Sequence, residues 1–237
     1  MDKGIQYRHE MKYRINSGSY HILRQRMKAA MLPDGHAADG VYRITSLYFD
    51  DVYRSGYYDK INGVLNRKKY RIRVYNLDKT YIRLEEKRKD DNVGYKKSAV
   101  ITYGEYERIL SGERAFLGEE RFSGTAAEDF FVSDSAARLT PSVIVDYLRE
   151  PYICRAGNVR VTFDMKVSAG INGLDMFDER VRYSPVFPDN DIVLEVKYDN
   201  FIPLYIEELL SGVPMTQESV SKYVLCRDKF NAIRRGI

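Results

Sequence analysis

Arginine and lysine recur at every second residue along two stretches of this chain. Arg71 and Arg73 alternate with apolar residues in RKKYRIRVY (67–75), and Arg83, Lys87 and Lys89 flank Glu85 in RLEEKRK (83–89). Guanidinium forks grip phosphate oxygens two at a time, and ammonium groups act as compact point charges. Cations at this spacing therefore suit a phosphoanhydride, whose transfer asks mainly for positioning and charge neutralisation. No general base is needed when the attacking group is itself an ionised phosphate oxygen. A carboxylate among the cations suits a hard divalent metal, which takes oxygen ligands. The same two-residue spacing joins Glu10 to Lys12, Tyr147 to Arg149, and Glu195 to Lys197, and a four-residue spacing joins Arg160 to Asp164.

These residues need strands to position them, because only a period of two puts alternate side chains on one face. Alternating patterns predict strands near 5–15, 42–50, 54–61, 67–76, 80–89, 94–103, 142–150, 158–168 and 191–198. Short connections at Asn76–Lys79 and Asp90–Val93 favour antiparallel hairpins. Helical patterns cover 17–31, opened by a Ser cap signal, then 104–110 after Thr102, 204–210, and 220–235. Residues 112–139 are weakly patterned and read as a loop or a helical insertion. The whole is a single α+β domain of mainly antiparallel strands. Two arrangements of its charged face stay open on pattern alone. One is a solvated face laced by cross-strand ion pairs. The other is a sheet curled shut on a basic lumen, which a polyanion would have to fill.

Composition narrows the classes. Charged residues make up 30% and hydrophobic ones 44%, with 20 Tyr and no Trp, a soluble globular profile. A formal charge of +4 is too mild to argue for a polyanion partner without local clustering. Cys154 and Cys226 stand far apart without metal spacing, which fits reduced thiols and a cytoplasmic location. The start MDKGIQYRHE lacks an apolar signal core, and no eighteen apolar residues run together, so no membrane segment is expected in the chain. A G-x-x-x-x-G-K-[ST] loop is absent, which excludes an ATP site of that type. His9, His21 and His36 lack ligand spacing. Asp50–Asp51 reads as a cap or turn ahead of a second metal site, and the basic C-terminal RDKFNAIRRG as a helix end complementing its dipole.

Taken in order, RHEMKY (8–13), SLYFD (46–50), YYDKINGVLNRKKYRIRVY (57–75), RLEEKRK (83–89), KKS (96–98), DYLREPY (146–152), VRVTFD (159–164), VLEVKY (193–198) and SKY (221–223) resemble the VTC domain. This polyphosphate polymerase core belongs to the triphosphate tunnel metalloenzyme, or CYTH-like, superfamily. The resemblance implies a closed antiparallel β-barrel with a few flanking helices over residues 1–237. It implies a tunnel holding ATP and polyphosphate, with Mn²⁺ or Mg²⁺ as the ion. Carried onto matching positions, Lys12, Arg71, Arg73, Lys87, Arg149, Arg160 and Lys222 become basic lining, and Lys97 joins them beside Lys96. Glu195 becomes the metal carboxylate. Tyr147 and Ser221 become neutral phosphate contacts, Ser221 being equally suited to cap a helix. Glu10, Glu85 and Lys197 are further lumen residues.

Arg8 stands where the wider superfamily often has the first Glu of E-x-E-x-K, which agrees with the polymerase branch. The sensor domain and membrane region of fungal members are not matched, so inositol-phosphate regulation and translocation are not implied. The expected activity is transfer of the γ-phosphate of ATP to a growing polyphosphate chain. A tunnel hydrolase of triphosphates and a non-catalytic polyphosphate-binding module are the alternatives. A nucleic-acid binder with stacking tyrosines ranks last, because Glu10, Glu85 and Glu195 would repel its backbone.

Overall fold

The computed structural model describes residues 9–35, 37, 40–90 and 93–236. Arg8, His36 and the expected start of the first strand lie outside them. In chain order the elements begin β1 (His9–Ile15), α1 (Ser17–Ala30), β2 (Leu32–Pro33), β3 (Tyr42–Asp50), α2 (Ser55–Ile61), β4 (Arg67–Tyr75), β5 (Ile82–Asp90) and β6 (Val93–Ile101). They continue with α3 (Tyr103–Ser111), α4 (Ala126–Ala137), β7 (Thr140–Cys154), β8 (Val159–Gly170), β9 (Tyr183–Pro185), β10 (Ile192–Tyr198), α5 (Leu204–Leu210), β11 (Thr216–Gln217) and α6 (Lys222–Arg234). The fold is α+β with a large antiparallel sheet, as the alternating pattern predicts.

The chain forms two compact units. The first comprises Met1–Arg43, Tyr147–Val167 and Pro185–Ser221. Here β1 runs antiparallel to β10, and β10 to β8, with Lys12 opposite Glu195 and Lys197 opposite both Glu10 and Arg160. Alternation sends Val161, Phe163, Leu194 and Val196 to the core, where each buried side chain contributes roughly 1.5–3 kcal/mol. Helix α1 covers that apolar face with Leu23 and Met27 fully buried, and its Tyr20 ring meets Phe163 edge-on at 5.2 Å. Asn16, rather than the expected serine, caps α1 by accepting from the Ser19 N–H at 2.9 Å. Buried Glu150 ties the helix down, accepting from Tyr20 at 2.7 Å, Arg24 at 2.8 Å and Tyr152 at 2.6 Å.

The second unit comprises Ile44–Asp146, Ser168–Ser184 and Lys222–Ile237. Its strands β3, β4, β5 and β6 form an antiparallel meander. Leu47, Phe49, Ile72, Leu84 and Ile101 point to one side, where Tyr106 and Ile109 of α3 and Phe130 of α4 cover them. The segment expected to be a loop or helical insertion thus contains α4. A capping box between Thr102 and Glu105 starts α3, and Gly112 ends it at φ 90°.

The predicted strand at 54–61 is instead helix α2. Tyr57 and Ile61 repeat at a helical spacing of four, and Asp50 accepts from the backbone N–H groups of Gly56 at 2.9 Å and Tyr57 at 3.1 Å. Asp51 likewise accepts from Ser55 N–H at 2.9 Å, so both aspartates act as caps. The hydrogen-bonded strand order ends on β11 and on β6, and no ladder joins these two among the described residues. Among the described residues, the barrel closure implied by the resemblance is therefore not made by hydrogen bonds.

Candidate functional site

In the second unit, the side of the meander opposite the apolar core is charged. Register places Tyr48 of β3 beside Arg71, Ser46 beside Arg73, Arg71 beside Glu85, and Lys69 beside Lys87. Glu85 has no solvent exposure. It accepts from Arg71 Nε at 2.8 Å and Lys96 Nζ at 3.0 Å, and Arg73 Nε lies 4.0 Å away. Burial alone would raise its carboxyl, but Arg71, Arg73 and Lys96 overcome that and hold it well below its ordinary value. The arginines are steadied on their other side: Arg71 Nη1 donates to the Tyr48 hydroxyl at 2.9 Å, and Arg73 Nε to Ser46 at 3.2 Å.

Tyr48 is itself held by α6. The Tyr223 ring stacks on it at 4.9 Å, Tyr223 donates to Asp50 at 2.5 Å, and Lys69 Nζ stands 4.8 Å from the centre of the Tyr223 ring. Lys222 opens α6 one residue earlier, half-buried. Lys87 is exposed and stands opposite both Lys69 and Lys96.

Strand register corrects one expectation. Lys97 lies opposite Glu86 and therefore on the side of β6 that carries the apolar core, where its Nζ meets Asp129 of α4 at 2.7 Å. Lys96 lies opposite Lys87, on the charged side. Arg88 belongs with Lys97 on the core-bearing side, donating to Glu86 at 2.8 Å. Counting back from the pairing of Asp90 with Val93 sets Lys87 opposite Lys96.

The first unit carries a charged face of different character. Glu195, 4% exposed, lies 3.6 Å from Lys12, 3.2 Å from Lys197 and 3.3 Å from Arg149. Glu10 shares two of these cations, at 3.7 Å from Lys12 and 3.2 Å from Lys197. Arg149 makes a bidentate pair with fully buried Asp164, at 2.6 and 2.7 Å, and its guanidinium lies 5.4 Å from the centre of the Tyr147 ring. Desolvation opposes the Arg149 charge, yet Asp164, then Tyr147 and Glu195, hold its titration well above the ordinary range.

Arg160 donates to Asp34 at 2.7 Å and to the Tyr42 hydroxyl at 3.0 Å. Asp34 had no legible role, since nothing in its local pattern points to Arg160. Lys12 also donates to the Val220 carbonyl at 3.3 Å, one residue before half-buried Ser221. Within the first unit the register thus collects Lys12, Arg149, Arg160, Glu195 and Lys197 on one face, and within the second Arg71, Arg73, Lys87 and Lys96 on another.

The depressed Glu85 titration has a signed consequence. Its stabilising contribution is complete above the ordinary carboxyl value of 4.5 and is lost as pH falls below it. Glu85→Gln should destabilise the protein by about 3 kcal/mol at pH 7, by leaving buried cations uncompensated. The variant should also lose less stability than the wild type between pH 5 and pH 3, on the order of 1 kcal/mol or more less. Urea denaturation at the three pH values measures both; equal acid slopes would remove Glu85 from this role.

The family model of the VTC domain matches residues 7–231. No curated protein matches the chain by sequence. Among solved structures, the adenylyl cyclase-type protein HpAC1 of Hippeastrum, described as having a dominant triphosphatase activity, is similar with a TM-score of 0.55 at 14% identity, covering 93% of this chain and 95% of that one. The PH1819 protein of Pyrococcus horikoshii is similar with a TM-score of 0.50 at 14% identity, covering 94% and 99%. At such identities these likenesses show a shared fold. The family match spans nearly the whole chain, and the chain belongs to the VTC domain family.

Proposed function

We propose that the chain is a metal-dependent polyphosphate polymerase that transfers the γ-phosphate of ATP to a growing polyphosphate chain inside a basic tunnel. The observation that carries the reading is the charged face of β4, β5 and β6, where Lys69, Arg71, Arg73, Lys87 and Lys96 stand with Glu85 as the acid among them. Such an excess of cations matches a ligand with a negative charge on every repeating unit. Membership of the VTC domain family supports polyphosphate as that ligand. The shared fold with a protein described as a triphosphatase supports triphosphate chemistry more broadly. The closed barrel and its lumen are part of this proposal and rest on the family.

In this reading Arg71, Arg73, Lys87 and Lys222 grip the phosphates of ATP, with Lys96 in the place once expected for Lys97. Lys12, Arg149, Arg160 and Lys197 hold the polymer side, with Tyr147 and Ser221 as neutral contacts. A terminal polyphosphate oxygen attacks the γ-phosphorus, the bond to the β–γ bridging oxygen breaks, and ADP leaves with the electron pair. The attacking oxygen is already ionised, so no proton has to be removed. The cations reduce repulsion between the two anions and stabilise charge as it moves to the leaving group.

The donor set suits a hard cation that shares its shell with substrate. No three His, Cys, Asp or Glu side chains converge as a metal group among the described residues. The protein's share would be Glu195 with Glu10, both held against Lys12 and Lys197. Phosphate oxygens and water would complete the shell, as is usual for Mg²⁺. Bound there, Mn²⁺ or Mg²⁺ would supply charge neutralisation and orientation of the phosphates.

Incubating the protein with ATP and Mn²⁺ and resolving the products tests the reaction. ADP with a long phosphatase-sensitive polymer is expected. Orthophosphate without polymer would replace synthesis by hydrolysis, and no consumption would leave a binding module. Glu195→Gln should lower metal-dependent turnover by about 100-fold or more with an unchanged circular dichroism spectrum. Full rate in that variant would take Glu195 out of the metal site.

A further inference from the structure

The second unit carries a groove to which neither charged sheet face contributes. It is an open groove of about 350 Å³ between α2 and α6, with Arg54 and Arg235 in its lining. That volume falls within the roughly 300–1,000 Å³ of small-molecule sites. Tyr58, Ile61 and Ala232 give it an apolar wall, and Tyr58 and Ile61 are 47% and 52% exposed.

Positive charge accumulates here beyond what the helix needs. Arg234 and Arg235 at the end of α6 complement its dipole. Arg54 does not: it stands before α2 in the left-handed region, at φ 58° and ψ 41°, a costly backbone for arginine. Arg227 of α6 donates from its Nη1 to the Ser142 carbonyl at 2.5 Å, and its buried Nε lacks a hydrogen-bond partner among the described residues. Burial, then the fields of Arg54 and Arg234, hold the Arg227 guanidinium below its ordinary range, against the opposing pull of Tyr223 and Asp50. Two carboxylates stand nearby, each accepting hydrogen bonds. Asp228, which also lines the groove, accepts from the Tyr57 hydroxyl at 2.5 Å, and Asp50 accepts from Tyr223 and from the backbone at α2.

We infer that this groove is a second anion site, which binds a diphosphate group between Arg54 and Arg235. Paired guanidinium forks recognise phosphate oxygens bidentately. Two sources share that chemistry. A nucleoside diphosphate would lay its ring along Tyr58 and Ile61, whereas the end of an inorganic polyphosphate chain would use the arginines alone. The site requires no turnover, so it stands or falls separately from the polymerase reading.

Calorimetric titration with ADP and with pyrophosphate in metal-free buffer tests it. The wild type is compared with the double variant Arg54→Ala, Arg235→Ala and with Lys96→Ala. The double variant should lose one equivalent of binding, or bind it at least tenfold more weakly, while Lys96→Ala retains that equivalent. Tighter binding of ADP than of pyrophosphate assigns the nucleotide; equal affinity assigns the inorganic chain end. If the double variant keeps the wild-type fold by circular dichroism and binds both ligands unchanged, or if the wild type binds neither, the inference is overturned. Loss of the equivalent in a protein that never consumes ATP would uphold the groove while the polymerase reading fails.

Discussion

Glu85 is the point on which the second unit's charged face depends. Like charges about 4 Å apart repel by about 4 kcal/mol at an effective dielectric of 20, so a sheet carrying Arg71 and Arg73 on β4 and Lys96 on β6 needs a counter-charge built in on the strand between them. Glu85 supplies it from a position with no solvent exposure, reached by Arg71 at 2.8 Å and Lys96 at 3.0 Å. The price is a carboxylate taken fully out of water, which only charged and hydrogen-bonding neighbours can offset. The Glu among cations is thus first a clamp that orients arginines.

The first unit solves the same problem with a different ratio. Asp164 takes two donors of Arg149, while Glu195 and Glu10 share Lys12 and Lys197. Carboxylates are nearly as frequent as cations on this face, whereas cations dominate the other. The two faces therefore differ in charge: cations prevail on the second unit's face, whereas on the first unit's face Glu10 and Glu195 are each shared between cations. The α-helices hold both arrangements from behind, α1 through Glu150 and α4 through Phe130.

Strand parity made much of this legible. A period of two separates Arg71 and Arg73 from Ile72 and Val74 with no further information, and the ordered motifs extend the reading to Lys12, Arg149 and Glu195. Three features escaped it for identifiable reasons. Lys96 and Lys97 are neighbours, so their faces depend on the register of β6 against β5 rather than on composition. The 54–61 segment carries aromatic residues common in strands, and its helix is set by backbone donors reaching Asp50. The Asp34–Arg160 pair joins residues 126 positions apart, a distance over which local pattern has no purchase.

The neighbouring lysines of β6 offer the most direct measurement of the central claim, that one face of this sheet is built for phosphate. Affinity for inorganic triphosphate is compared for Lys96→Ala and Lys97→Ala. The account expects about a tenfold loss in the first, a single charge-assisted contact of roughly 1.4 kcal/mol, and unchanged affinity in the second, whose side chain meets Asp129 on the core-bearing side. Equal losses in both, or a loss confined to Lys97→Ala, would contradict it.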